Sequence, residues 1–296
     1  MWPYITEEYT LRRLLPSEVG TGHPDIAPGS RRSIGSRVSS TRSLVVTCLG
    51  GFSLYVEGQR VDPSRWGVRN GGSQKVVGVM AYLIAHRHQP VPKGKLIDIF
   101  WDQADGDKGN QSLDRTISAL RRALEPSLQK YQQSAYILGP RGGYRLSSDL
   151  DIAVDAEEFV ACFKEAVESE RKDGVIAAVP LYRRAEALYA GPFMSGVPYA
   201  ELWCHYQSQI LADYHRITLT RLAYAAWVSH DFDGITSYAH RVLGEYGCQG
   251  DVCGWLVDAY ADGAAAAAVD RHIRTCPYRR QLSNVQCPEM SAVLSR

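Results

Sequence analysis

Residues 110–126, NQSLDRTISALRRALEP, can fold in few ways. At 100° per residue, Leu113, Ile117, Leu120 and Leu124 fall within about 60° of one another on a helix, and Pro126 stops it. The opposite side carries Gln111, Arg115, Ser118 and Arg122, with Arg121 on the flank beside Asp114. The apolar stripe requires a core to bury it. The polar row consists of side chains able to donate paired hydrogen bonds to guanine or adenine edges, with one small hydroxyl among them. Arginines on an ordinary solvated helix would look similar, and the flanking segments weigh between the two readings.

Upstream, LVVTCLGGFSLYVEGQRV (44–61) alternates Phe52, Leu54 and Val56 with Ser53 and Tyr55, and Glu57-Gly58 turns the chain back. That pattern predicts a small antiparallel sheet. In SQKVVGVMAYLIAHRH (73–88), Val76, Val77, Met80, Leu83 and Ile84 share one helical face. The prolines of QPVPKGKLIDIFWDQ close that helix and open another over about 94–101, with Leu96, Ile97, Phe100 and Trp101 inward. Downstream, YILGPRGGYRLSSD reads as a hairpin with a Gly/Pro loop over 139–143. Sheet, three helices and a basic hairpin form the series of a winged helix-turn-helix domain, whose third helix enters the major groove. Gln111, Arg115, Ser118 and Arg122 are therefore candidates for base edges. Lys75 at the start of the first helix, Arg121 on the flank, and Arg141 and Arg145 on the wing are candidates for phosphates.

From residue 151 the pattern turns helical. Phe159, Cys162, Phe163 and Ala166 face inward on one segment, and Leu181, Tyr182, Ala185 and Leu188 on the next. Helix pairs joined by tight turns, with small residues such as Ala226 and Ala239 at crossings, predict a tetratricopeptide-like array. The net charge of +1 conceals an asymmetry: residues 44–150 carry an excess of cations, and 151–296 an excess of acids. Two domains with different partners follow, and the acidic one is suited to protein rather than DNA. Residues 1–43, rich in Gly, Ser, Pro and Arg, are expected to be a disordered extension. The expected organisation is thus an extension over 1–43, a winged helix over 44–150, an all-α domain over 151–274 and an unassigned tail over 275–296. The fold class is mainly α with a small antiparallel β component.

Other functions find little support. No apolar run approaches the roughly 18 residues that cross a bilayer, and MWPYITEEYTLRR has no apolar secretory core. A cytoplasmic protein without membrane contact is expected. Seven scattered cysteines include no C-x-x-C pair, which suggests reduced thiols rather than a zinc ribbon. PKGKL lacks the spacing and hydroxyl of a P-loop, and GPRGGYR does not open a helix. No G-x-S-x-G or H-E-x-x-H occurs, and DQADGDKGN lacks the alternation and closing glutamate of a calcium loop. No catalytic residue, metal or cofactor is therefore expected. The rival to a DNA-binding regulator is a protein-interaction scaffold whose winged domain no longer binds DNA.

In order along the chain, LGGFSLYVEGQRV, QKVVGVMAYLIAHRHQPVPKGKLIDIFW, NQSLDRTISALRRALEP and ILGPRGGYRL resemble the Streptomyces antibiotic regulatory protein family. That family joins an OmpR-type winged helix to a bacterial transcriptional activator domain, which LYAGPFMSG and LVDAYADGAAAAAVDRHI resemble in turn. The resemblance covers about 44–274. It implies an activator that binds direct repeats in double-stranded promoter DNA and recruits RNA polymerase, with a homodimer on DNA as the candidate assembly. It also implies that 110–124 is the recognition helix, 136–146 the wing, and Asp102–Gly109 a loop that can touch polymerase. Pro180 departs from the pattern by interrupting a helix that is normally unbroken.

Overall fold

A computed structural model describes residues 42–62, 72–102, 106–139, 142–247 and 249–262. The expected extension up to residue 41, Arg141 and the tail from 275 lie outside the described residues. The fold is mostly helical, with a winged helix-turn-helix part and a helical part. The chain divides into two compact units: residues up to Asp155 with Gly191–Gln207, and Ala156–Ala190 with residues from Ser208 onward.

The first unit opens with β1 (Ser43–Thr47), whose Leu44 and Val46 are buried on alternate positions. It pairs antiparallel with β2 (Ser53–Val56), which turns into β3 (Gln59–Arg60). Glu57 and Gly58 both take positive φ, as a two-residue hairpin turn requires. Helix α1 (Gly72–Ala85) buries Val76, Met80, Leu83 and Ile84 completely. Gly78 faces a crowded site, where a Cβ would come within 2.8 Å of both the Phe100 ring and the Pro198 carbonyl. Helix α2 (Lys93–Phe100) buries Leu96 and Phe100. Helix α3 (Gly106–Leu124) buries Leu113, Ile117, Leu120 and Leu124, the expected stripe. It begins four residues earlier than the sequence suggested, so Gly106–Gly109 of the expected loop are its first turn.

The wing is β4 (Ile137–Leu138) against β5 (Arg145–Leu146), with Ile137 opposite Leu146. Its base is tied to the α1–α2 connection: Val91 and Tyr144 exchange backbone hydrogen bonds of 2.7 and 2.8 Å. A Cβ on Gly143 would stand 2.0 Å from the Val91 carbonyl oxygen, which demands glycine at this approach.

Two features depart from the sequence reading. Residues 151–154 form β6 (Asp151–Val154), parallel to β1, giving the order β3-β2-β1-β6. The sheet is therefore mixed rather than wholly antiparallel. Directly after β6, the Asp155 carboxylate accepts the backbone N–H groups of Cys48 at 2.9 Å and Leu49 at 3.1 Å. Second, Gly191–Gln207 packs with the first unit instead of the helical one. Met194 N–H donates to the Cys48 carbonyl at 2.7 Å, and Gly50 N–H to that of Pro192 at 3.1 Å. Trp203 packs edge-on to Tyr82 at 5.1 Å.

The second unit contains α4 (Asp155–Asp173, from Ala156), α5 (Val175–Leu188), α6 (His205–Val228, from Ser208), α7 (Phe232–Tyr246) and α8 (Gly250–Asp262). Pro180 lies inside α5 without ending it. Leu219, Ala239, Val242, Val252 and Leu256 form one core cluster; Ala226, Ile235 and Ala259 form another. The small residues expected at crossings, Ala226 and Ala239, are buried there. Asp231 caps α7, accepting the Gly234 N–H at 3.0 Å. Cys48, Cys162, Cys204 and Cys253 are buried, and no disulfide joins any two of them. Among the described residues, no helix is long and apolar enough to cross a membrane.

Candidate nucleic-acid interface

Helix α3 separates its residues as its periodicity demands. Gln111, Arg115, Ser118 and Arg122 are all exposed, while the leucine–isoleucine stripe is in the core. Gln111 and Arg115 stand one turn apart with no hydrogen-bonding or ionic partner among the described residues, so their donors are available to a ligand. The Ser118 hydroxyl donates to the Asp114 carbonyl at 2.7 Å, turned back onto its own helix, and retains its capacity to accept. Arg122 continues the row but lines a groove with the β2–β3 hairpin.

The phosphate candidates are less alike than the sequence suggested. Arg145 is exposed on β5 of the wing. Arg121 is half-buried, and its Nε donates to the Ile137 carbonyl at 3.1 Å, fastening α3 to the first wing strand. Lys75 is also half-buried, with its ammonium 5.1 Å from the Trp101 ring centre and 5.9 Å from that of Tyr199. Arg141 lies outside the described residues.

One constellation was not singled out from sequence. The Asp114 carboxylate accepts from Lys93 Nζ at 3.1 Å and from the Tyr144 hydroxyl at 2.8 Å. It joins the start of α2, the flank of α3 and the return strand of the wing. The hydrogen bond to Asp114 holds the Lys93 ammonium above its ordinary pKa. Burial, then the same carboxylate, push the Tyr144 phenol up. Both ends of the Lys93–Asp114 pair are partly exposed, so its contribution is orientation more than stability. Helix α3 and the wing are thereby fixed to each other. Helical angles alone placed Asp114 beside Arg121; the wing that claims Asp114 is thirty residues further along the chain.

A preformed, donor-rich helix face flanked by a hairpin is what a duplex reader needs. Residues 71–146 match the family described as "Transcriptional regulatory protein, C terminal". The chain carries the DNA-binding domain of a transcriptional regulator. Among solved structures, it is similar to Mycobacterium tuberculosis EmbR in complex with a low affinity phosphopeptide. That likeness has a TM-score of 0.59 and 18% identity, and covers 79% of this chain but only 58% of EmbR. No curated protein matches the chain. The similarity to EmbR extends the agreement in fold beyond the winged helix to most of the chain, and the polar row on α3 lies within the residues that match the family. Among the described residues, no group of three or more His, Cys, Asp or Glu could hold a metal ion.

Proposed function

We propose that the chain is a sequence-specific transcriptional activator of the Streptomyces antibiotic regulatory protein type, working in the cytoplasm. Helix α3 enters the major groove of promoter DNA. Gln111 and Arg115 donate to base edges, and Ser118 leaves room between them for a base or a water. Arg145 on the wing lies along the backbone, the role the sequence also suggests for Arg141. Two protomers occupy direct repeats, and the helical unit contributes the protein contacts, including those to RNA polymerase. The observation that carries this reading is the unpartnered Gln111–Arg115 pair on the exposed face of an amphipathic helix whose other face is in the core.

Gel shifts with DNA from upstream of the protein's own gene, together with an unrelated duplex, test it. Arg115→Ala is expected to cost about 1–3 kcal/mol at the specific site and to relax preference at one base pair. Equal losses on both duplexes would make Arg115 a phosphate contact and remove the base-reading assignment. Arg145→Ala is expected to lower affinity for both and to reduce the salt slope by about one unit.

A further inference from the structure

Beside the C-terminal end of α3, the β2–β3 hairpin borders a groove of about 380 Å³. Val56, Val61, Leu124 and Pro126 supply apolar lining. Arg60 and Arg122 supply two exposed guanidinium groups. Neither has an acidic partner among the described residues, and the one hydrogen bond of Arg60 is to the Ser53 hydroxyl at 3.5 Å. Asp62 also lines the groove, so the cationic excess is one charge.

We infer that this groove binds an acidic peptide segment of another protein, one that brings a carboxylate to Arg60 and Arg122 and an apolar side chain to the floor between them. The combination of charge and floor selects this occupant. A phosphodiester would satisfy the arginines but bring nothing apolar to cover Val56, Val61 and Pro126. A peptide supplies both, and paired guanidinium–carboxylate bonds add directional specificity.

The chain's own segments are poor occupants. Residues 1–41 hold more arginines than acids. In the helical unit, many acids are already in ion pairs: Glu158 with Arg184, Glu168 with Arg171 and Lys172, Glu170 with Arg221, and Glu186 with Arg241. Gln111 and Arg115, which carry the base-contact assignment, lie outside the groove's lining, and only Arg122 belongs to both the polar row and the groove.

The test uses the full chain and two fluorescein-labelled twelve-residue peptides, one alternating Asp or Glu with Leu, the other with Asn and Gln in place of the acids. Anisotropy is expected to show the acidic peptide binding at least tenfold more tightly, with affinity falling as salt rises. The double variant R60E/R122E is expected to lose at least tenfold of that affinity, and R60Q/R122Q to lose less in the same direction. Lys130→Glu, which alters an exposed cation outside the groove, should change little. Equal binding of both peptides, or no effect of the double variant, overturns the inference. So does a salt slope for duplex DNA that falls by about one unit in Arg60→Ala, which would make the groove a phosphate seat. Conversion of a dimer to a monomer by R60E/R122E in sedimentation would overturn it too, because the occupant would then be a second copy.

Discussion

The two units differ in how most of their arginines are held. In the first, Arg60, Arg115, Arg122 and Arg145 project outward without acidic partners. In the second, Arg221 and Arg241 are turned in or across to glutamates, and buried polar groups close on one another. Glu170 receives the Tyr182 hydroxyl at 2.7 Å, Arg221 Nε at 3.0 Å, and a second Arg221 nitrogen. His215 is stacked on Tyr189 at 3.9 Å, and its Nδ1 meets the Tyr246 hydroxyl at 2.5 Å. Exposed cations without acidic partners keep their charge and donors available to an anionic ligand. Cations that are paired and buried specify how helices pack, and breaking them removes structure rather than affinity. The difference predicts where each kind of mutation will be felt.

The largest effect tests whether the winged unit stands alone. A chain ended at Leu150 would lose β6, the Asp155 carboxylate that holds the Cys48 and Leu49 N–H groups, and the Phe193–Trp203 packing. Strand β1 would lose one strand neighbour and Tyr82 its edge contact with Trp203. Such a fragment is expected to show no cooperative unfolding transition. A sharp transition and intact DNA binding in that fragment would make these returning segments dispensable. Next in size is Arg221→Ala, which strands Glu170 with both side chains mostly buried. A loss of about 3–5 kcal/mol in denaturant unfolding of the helical unit is expected, with specific DNA affinity per folded molecule unchanged. A loss below about 1 kcal/mol would mean that the pair is solvated like a surface bridge.

The His215 environment adds a pH dependence to the same unit. Burial, then the nearby Arg241, lower its pKa from 6.5 to about 4. Glu245 Oε2 stands 3.6 Å from the same Nδ1 that meets Tyr246, and His215 Nε2 has no hydrogen-bond partner. The folded-state value lies below the unfolded one, so the unfolded chain takes up a proton that the folded chain refuses. Stability is therefore complete above about pH 6.5 and declines as the pH falls toward 4, by up to about 3 kcal/mol. His215→Gln, which can still accept from Tyr246, should flatten the decline between pH 6.5 and 4.5. Equal slopes for the two proteins would show that other groups carry it.

Periodicity made the helices legible. Leu113, Ile117, Leu120 and Leu124 were readable because an amphipathic helix repeats its pattern over several turns, and the wing because Gly142-Gly143 punctuates it. The exposed row on α3 followed from the same arithmetic. What escaped is non-local. Strand β6 has only Ile152 and Val154 as alternating apolar positions, directly before a helical pattern, and pairs with a partner far upstream. Phe193, Met194 and Val197 carry no periodic signature that says which unit they cover. Asp114 has a near-neighbour on its own helix, yet its partners come from α2 and the wing.

Lys75 is the smallest and most pointed case, because sequence assigned it to a phosphate and the structure gives it aromatic neighbours. Its ammonium stands over Trp101 and Tyr199, half-buried at the head of α1. An ammonium held against ring faces has less freedom to follow a phosphodiester, and a cation–π contact of this exposure stabilises by about 0.5–1 kcal/mol. Lys75→Gln is therefore expected to lower the stability of the winged unit by roughly that amount, while the salt slope of DNA binding changes by well under one unit. Lys75→Arg should restore the stability, because a guanidinium also stacks on rings. If instead Lys75→Gln leaves the unfolding midpoint unchanged and removes a full unit of salt slope, the ammonium leaves the rings for a phosphate when DNA binds. Lys75 would then belong with Arg145 among the cations held ready for a ligand.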